Sequence, residues 1–292
     1  MFNLLMMQFL AGLGYGMLIF ILAIGLSLLL GVAKIINFAH GSFYMLGAYL
    51  SFTLVSHLGN TPELFWAALI LAPAGIALLG ALCEIFLFRP VYRIELLFQL
   101  LLTYALVFVF SDLQKMIWGT ENYVFSLPAV FKKTINIFGQ HLGYYNLFII
   151  ILGPVLCLVL WMVLNKTKMG NLILAAAYDR EMLTALGVDT KRLYTLTFII
   201  GCGLAGLGGV LGAGLGTVNP GMDMAVILPC FIVVVIGGMG SLGGTLLGAF
   251  LLGQVQAFGV LVLPRLALAF SFMLMAAILI IRPWGLMGKP EK

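Results

Sequence analysis

The chain has 292 residues, 63% of them apolar and 9% charged, with a mean hydropathy of +1.17. Soluble domains carry about a quarter charged residues and cannot hide this much apolar surface from water, which excludes a soluble enzyme, a nucleic-acid binder and a disordered chain. The net charge of +5 is scattered over connecting segments without an arginine run, so it reads as topology-setting charge and not as a nucleic-acid surface.

A hydrocarbon core about 30 Å thick takes roughly 20 helical residues. Met1–Ala33 and Ile35–Pro62 contain no Asp, Glu, Lys or Arg and predict two spans on either side of Lys34. The second carries a polar run, Ile36-Asn37-Phe38-Ala39-His40-Gly41-Ser42. In lipid such a run needs partners or water, and a broken helix lining a cavity provides them. His40 reads first as a histidine bonded to backbone and second as a substrate contact. Leu64–Phe88, with Glu84 near its end, and Leu96–Met116, with Asp112 and Lys115, predict the next two spans. The segment Ile117–Gly143 mixes Trp118, Tyr123, Phe125 and Phe131 with polar residues, which suits an interfacial anchor or the docking of an external partner.

Thr134–Asn165 predicts a fifth span. Residues 165–192 form the one long charged connection on their side, longer than an idle loop. Within them Leu172–Leu186 predicts a single short helix bearing Asp179, Arg180 and Glu181, ended by Gly187. Leu193–Met222 predicts a sixth span. Met224–Pro264 is too long for one crossing and splits at Gly237-Gly238-Met239-Gly240-Ser241-Leu242-Gly243-Gly244; Leu266–Ile281 is the last span. Placing residues 165–192 and the C-terminus in the cytoplasm puts ten basic residues there and four opposite, with Lys34 an eleventh. The positive-inside rule then gives nine crossings with the N-terminus outside, or eight with it inside if one N-terminal segment is re-entrant.

The expected fold class is all-α, a polytopic transmembrane helical bundle of about 8–10 spans with broken helices and an internal repeat. The repeat is read from two interruptions, Asn37–Ser42 and Gly237–Gly244, and from the likeness of Met45–Leu50 to Leu246–Leu251 and of Ala11–Gly14 to Ala213–Gly216. Glycines at i, i+4 (Gly208, Gly212, Gly216; Gly240, Gly244, Gly248) suit close helix packing. No Walker A, HExxH or Gly-x-Ser-x-Gly motif occurs, so no catalytic residue, metal or cofactor is expected. The four cysteines read as apolar free thiols. Glu84 and Asp112 lie near opposite span ends and make no mid-membrane relay.

The stretch from Gly31 to Tyr49, GVAKIINFAHGSFYMLGAY, closely resembles the N-terminal signature of branched-chain amino-acid ABC-transporter permeases of the LivH type. Glu84 with Arg89-Pro90-Val91-Tyr92-Arg93 resembles their first cytoplasmic turn, and Val235–Ser241 their late glycine-rich segment. Asp179 through Gly187 is similar to their coupling loop, with Glu181 and Gly187 in the EAA-x3-Gly pattern and Met182 and Leu183 replacing its alanines. The resemblance implies one permease domain over residues 1–292 in the cytoplasmic (inner) membrane, with residues 165–192 as its coupling loop. It implies an importer working by alternating access, with a homologous or identical second permease subunit, two cytosolic ATPase subunits and an extracytoplasmic solute-binding protein. Asn37, His40, Gly41, Ser42, Gly237, Gly238, Gly240 and Ser241 would then line the substrate pathway, and Asp179, Arg180, Glu181 and Gly187 would couple to the ATPase. The competing expectation is a secondary carrier or channel for a small polar solute such as urea or an amide.

Overall fold

The computed structural model describes residues 2–57, 63–92, 94–137 and 140–288. Arg93, Lys289 and Lys292, counted above among the cytoplasmic charges, lie outside the described residues, as do the side chains of Arg180 and Glu181. The described chain is helical almost throughout. Its elements are α1 (Phe2–Ala33), α2 (His40–His57), α3 (Leu64–Cys83), α4 (Leu96–Trp118), α5 (Tyr144–Lys166), α6 (Lys168–Tyr178), α7 (Arg180–Ala185), α8 (Thr190–Leu215), α9 (Met222–Gly237), α10 (Leu242–Val262) and α11 (Ala267–Ile281). A π-helical turn, Glu84–Phe88, continues α3. Two small antiparallel ribbons cap one end: β1 (Tyr123–Val124) pairs with β4 (Thr217–Val218), and β2 (Thr134–Ile137) with β3 (Gln140–Gly143).

Seven helical segments are long and apolar enough to cross a bilayer, from Asn3–Ala33 to Pro264–Ile281. A helix pairs nearly all of its backbone polar groups within itself, as lipid requires, and Pro73 and Pro154 interrupt that ladder in α3 and α5. The two remaining predicted spans, α2 and α9, are shorter, with 18 and 16 residues. At 1.5 Å per residue α9 covers only about 24 Å, less than the hydrocarbon thickness. Both are largely buried inside the bundle, so protein and not lipid is their solvent.

Close contacts set the directions of the helices. α1 runs antiparallel to α10, Gly16 lying against Ala249 and Gly31 against Gly240. It also runs antiparallel to α8, where Gly25 meets Gly201 and Leu22 meets Gly208. Small residues at these crossings let backbones touch, which is how helices associate when no hydrophobic force separates them from lipid. α3 runs antiparallel to α8, from Pro73 beside Gly206 to Glu84 beside Thr195. The end of α1, the start of α8 and α6–α7 share one cluster built on Leu28, Val32, Leu164, Ile173, Leu183 and Leu193. Thus α1 and α3 both run toward the α6–α7 end, and the chain returns between them by residues 34–39 and α2. Likewise α8 and α10 both run away from it, and α9 brings the chain back. Seven of the nine expected spans are thus long and apolar enough to cross by themselves, and α2 and α9 are the two that are not.

The same order therefore occurs twice in opposite senses: long helix, break, short helix, two further helices (α1–α4 and α8–α11). That is an inverted-topology repeat. Its register corrects the sequence reading. The break at 34–39 corresponds to residues 216–221, not to Gly237–Gly244. The likeness of Met45–Leu50 to Leu246–Leu251 joins α2 to α10, which are not equivalent elements, and that of Ala11–Gly14 to Ala213–Gly216 joins the first half of α1 to the end of α8, which are not equivalent positions. Glycine-rich helices repeat small-residue spacings for packing, and such matches carry no register.

Candidate functional site

The first break starts where Lys34 takes a left-handed conformation, φ +55°, and ends α1. The chain then passes over α4, where Thr103 donates to the Ile36 carbonyl at 3.3 Å, and re-enters a helix at His40. Asn37, His40 and Ser42 are wholly buried. Among the described residues, the Asn37 amide has no hydrogen-bond partner on either its oxygen or its nitrogen. His40 Nε2 lies 3.0 Å from the Leu22 carbonyl on α1, so that nitrogen is the donor and Nδ1, which has no partner among the described residues, is left as an acceptor. The backbone-bonded reading of His40 thus describes one ring nitrogen and leaves the other free.

Gly41 and Ser42 lead to the main finding of the site. A Cβ at Gly41 would stand 2.6 Å from the Asp223 carbonyl oxygen, so only glycine lets the first turn of α2 lie on the first turn of α9. There Ser42 Oγ donates to Asp223 Oδ2 at 3.2 Å. Asp223 follows Gly221, whose φ of +88° turns the chain into α9, and it is 3% exposed. The positive ends of both short helices favour an anion at this point. Among the described residues, Asp223 forms no ion pair with a basic side chain. Sequence reasoning missed it, because a lone acid between two apolar runs looks like a loop residue. The signal was Pro220-Gly221 before it, a turn that places Asp223 in a helix's first turn. Asp112, counted above as lying within a span, has a side chain 72% exposed and pairs with Lys115.

The second sequence-predicted stretch lies elsewhere. Gly41 and Ser42 meet the start of α9, whereas Gly237–Ser241 follow its end, about 24 Å of helix away. Gly238 and Gly240 adopt φ of +94° and +77° in the turn to α10, which Ser241 caps by accepting from Gly244 N–H at 3.1 Å. Gly240 N–H donates to Ser27 on α1 at 3.1 Å. The tail docks on the same turn: Leu286 N–H donates to Ile236 O and Met287 N–H to Gly237 O.

At the α6–α7 end, Glu84 is fully buried and satisfied. Arg89 grips both its oxygens at 3.2 and 2.8 Å, Tyr92 donates at 3.0 Å, and Thr195 on α8 donates at 2.7 Å. Burial first, and the Glu84 charge second, push the Tyr92 phenol above its ordinary range, so it stays a donor. Beside this cluster is a cavity of about 440 Å³, lined by Lys34, Tyr92, Gln99, Asp179 and Tyr194 among others. The single helix expected over Leu172–Leu186 is two helices, α6 and α7. Asp179 divides them: extended at φ −148°, it caps α7 by accepting from Met182 N–H at 2.9 Å. An aspartate offers the backbone this alternative to a continuous helix. Gly187 ends α7 as expected, at φ +80°, with Val188 N–H donating to Leu183 O and Gly187 N–H to Thr184 O.

At the other end, Phe125 and Phe131 are buried against Phe65 and do not stand at a lipid interface. Among the described residues, no group of three or more His, Cys, Asp or Glu side chains converges on a point that could hold a metal ion.

Residues 8–281 match the family described as the branched-chain amino acid transport system / permease component. The chain belongs to this permease family. Its subunits transport; they are not enzymes, and ATPase activity lies on separate subunits. The permease is similar to the high-affinity branched-chain amino acid permease BraD of Pseudomonas aeruginosa, at 29% identity over 97% of this chain and 96% of that one. It is similar to LivH of Escherichia coli at 29% identity, covering 93% and 91% of the two chains. A probable LivH of the archaeon Methanocaldococcus jannaschii is 26% identical over 94% of this chain and 90% of its own. No solved structure matches. The permease is a multi-pass protein of the cytoplasmic membrane.

Proposed function

We propose that this permease is one of the membrane subunits of an ATP-driven importer that carries amino acids, branched-chain ones foremost, into the cell by alternating access. The relatives' names supply the substrate class. The observation that carries the mechanism is the mounting of α6 and α7. Their inner faces pack through Ile173 and Leu183 onto the ends of α1, α5 and α8, while Tyr178, Met182 and Leu186 are exposed. A cytosolic ATPase subunit gripping Asp179–Gly187 would therefore pull on α1 and α8 together, the two helices that lead into α2 and α9. The pathway runs along the Asn37–Ser42 break, and the Gly237–Ser241 turn is its cytoplasmic pivot. The assembly holds a second permease subunit, two ATPase subunits and a solute-binding protein.

Reconstitution of the permease with these partners tests the reading. Labelled leucine accumulates in an ATP-dependent manner in vesicles, and Glu181→Arg or Gly187→Trp abolishes coupled uptake at normal expression. Leucine flux that needs no ATPase subunit would instead identify a carrier or channel.

A further inference from the structure

The cavity of about 440 Å³ at the α6–α7 end is left unused by the transport cycle, and its walls are chemically mixed. Its volume is that of a small-molecule pocket. Two of its walls are helix C-termini: Val32 and Ala33 end α1, and Ala176–Asp179 end α6. The last carbonyls of a helix lack partners within it, so both ends give the cavity a negative potential, and the Asp179 carboxylate adds a full charge. One Asp179 oxygen caps α7, and the carboxylate has a second to offer. The break after α1 contributes a cation to the same cavity, Lys34. Among the described residues Lys34 is the one non-glycine at positive φ, a conformation that glycine or asparagine adopts at lower cost. What lysine supplies there is its ammonium group. Neither Lys34 nor Asp179 belongs to an ion pair among the described residues. The remaining surface is aromatic and aliphatic: Tyr92 and Tyr194 meet edge to face at 5.0 Å, and Leu96 lines the cavity with them.

We propose that this cavity is a cytoplasmic binding site for a free amino acid, through which the product of import holds the permease back. Lys34 takes the carboxylate, Asp179 takes the ammonium group, and Tyr92, Tyr194 and Leu96 take an aliphatic side chain. The charge pattern selects a zwitterion. A phosphate or an anionic headgroup meets Asp179 and two negative helix ends, and a simple cation meets Lys34. The position of the site gives it a consequence. It is bounded by the end of α1, the start of α8 and the α6–α7 joint, the elements through which the pull of an ATPase subunit passes. An occupant that bridges Lys34 and Asp179 ties α6 to the break at residues 34–39 and opposes their relative movement, favouring the state in which the two are held together. The inference rests on the amino-acid reading above and adds a second site for the same solute, on the product side.

The test uses the assembled importer in vesicles, with ATP and unlabelled leucine in the lumen on the ATPase side, and labelled leucine with the solute-binding protein outside. The initial rate of influx falls saturably as lumenal leucine rises. Lumenal isoamylamine (leucine without its carboxyl) and the hydroxy-acid analogue of leucine each carry one of the two charges and inhibit about tenfold more weakly. Lys34→Asn keeps a residue suited to φ +55° and removes the cation, while Ala177→Phe fills the cavity without altering its charges. Each raises the half-inhibitory leucine concentration about tenfold, measured against the variant's own rate without lumenal leucine. Influx indifferent to lumenal leucine, or equal inhibition by either analogue, would overturn the site. So would unchanged inhibition in Lys34→Asn, which places the product in the transport pathway; Ala177→Phe decides the matter if Lys34→Asn folds poorly. If the wild-type complex imports no leucine, the amino-acid reading falls, and calorimetric titration of the permease in lipid nanodiscs decides the site. Leucine binding weakened about tenfold by Lys34→Asn and by Asp179→Asn sustains it, and binding equal to wild type, or none at all, sinks it.

Discussion

The Glu84 carboxylate and the Thr195 hydroxyl, far apart in sequence, meet at 2.7 Å and bind α3 to α8. Arg89 completes this joint, donating to Glu84 twice and to Thr195 at 2.7 Å. Removing Arg89 leaves a buried anion with only neutral partners. Breaking a buried pair costs about 3–5 kcal/mol. Arg89 keeps 31% of its side-chain surface in solvent, so Arg89→Ala is expected at the lower end, about 2–3 kcal/mol after allowance for screening. Thermal unfolding in detergent checks the size, and a Glu84→Gln, Arg89→Ala double variant should lose less than the two single variants together.

Asn37 separates stability from function. Neither polar atom of its buried amide is satisfied, and each such group costs about 1–3 kcal/mol. Asn37→Leu should therefore keep or raise the melting temperature while ATP-driven uptake falls. Uptake equal to wild type in a stabilised Asn37→Leu chain would remove Asn37 from the pathway.

Gly41→Ala is predicted to be severe for so small a change. The added methyl meets the Asp223 backbone oxygen at 2.6 Å and the Ile227 Cβ at 3.2 Å, neither of which can swing aside. Overpacking of this kind costs about 1–3 kcal/mol. The expected result is reduced folded yield on fluorescence-detected gel filtration and loss of uptake in the fraction that folds.

Asp179 and Gly187 bound α7 and should fail in different ways. Asp179→Ala removes the cap and costs about 1 kcal/mol, while Asp179→Asn keeps it. Gly187→Val strains a backbone held at φ +80° and has nothing to contact there, so its effect comes from conformation alone. Substrate-stimulated ATP hydrolysis in the assembled transporter should fall in Asp179→Ala and Gly187→Val, and hold near wild type in Asp179→Asn.

The long helices were legible because lipid imposes one condition on every residue of a span, and charge-free runs record it directly. The break at Asn37–Ser42 was legible for the same reason in reverse, since Asn, His and Ser together are costly in hydrocarbon. What surrounds that break was not. Asp223 belongs to the same constellation but stands far along the chain, and local pattern cannot show that Gly41 lies against it. The division of α6 from α7 was written in Asp179, whose side chain competes for the backbone, yet a helical periodicity on both sides concealed it. The burial of Phe125 and Phe131 depends on ribbons and helix ends meeting in space, a property of no single segment.

The opposed directions of α1–α4 and α8–α11 carry a consequence for the transport cycle. Two halves of like build but opposite orientation can exchange conformations, each adopting the tilt the other held. The exchange converts an opening at one face of the membrane into an opening at the other without any new fold. The second state of the cycle is therefore already encoded in the asymmetry between the halves.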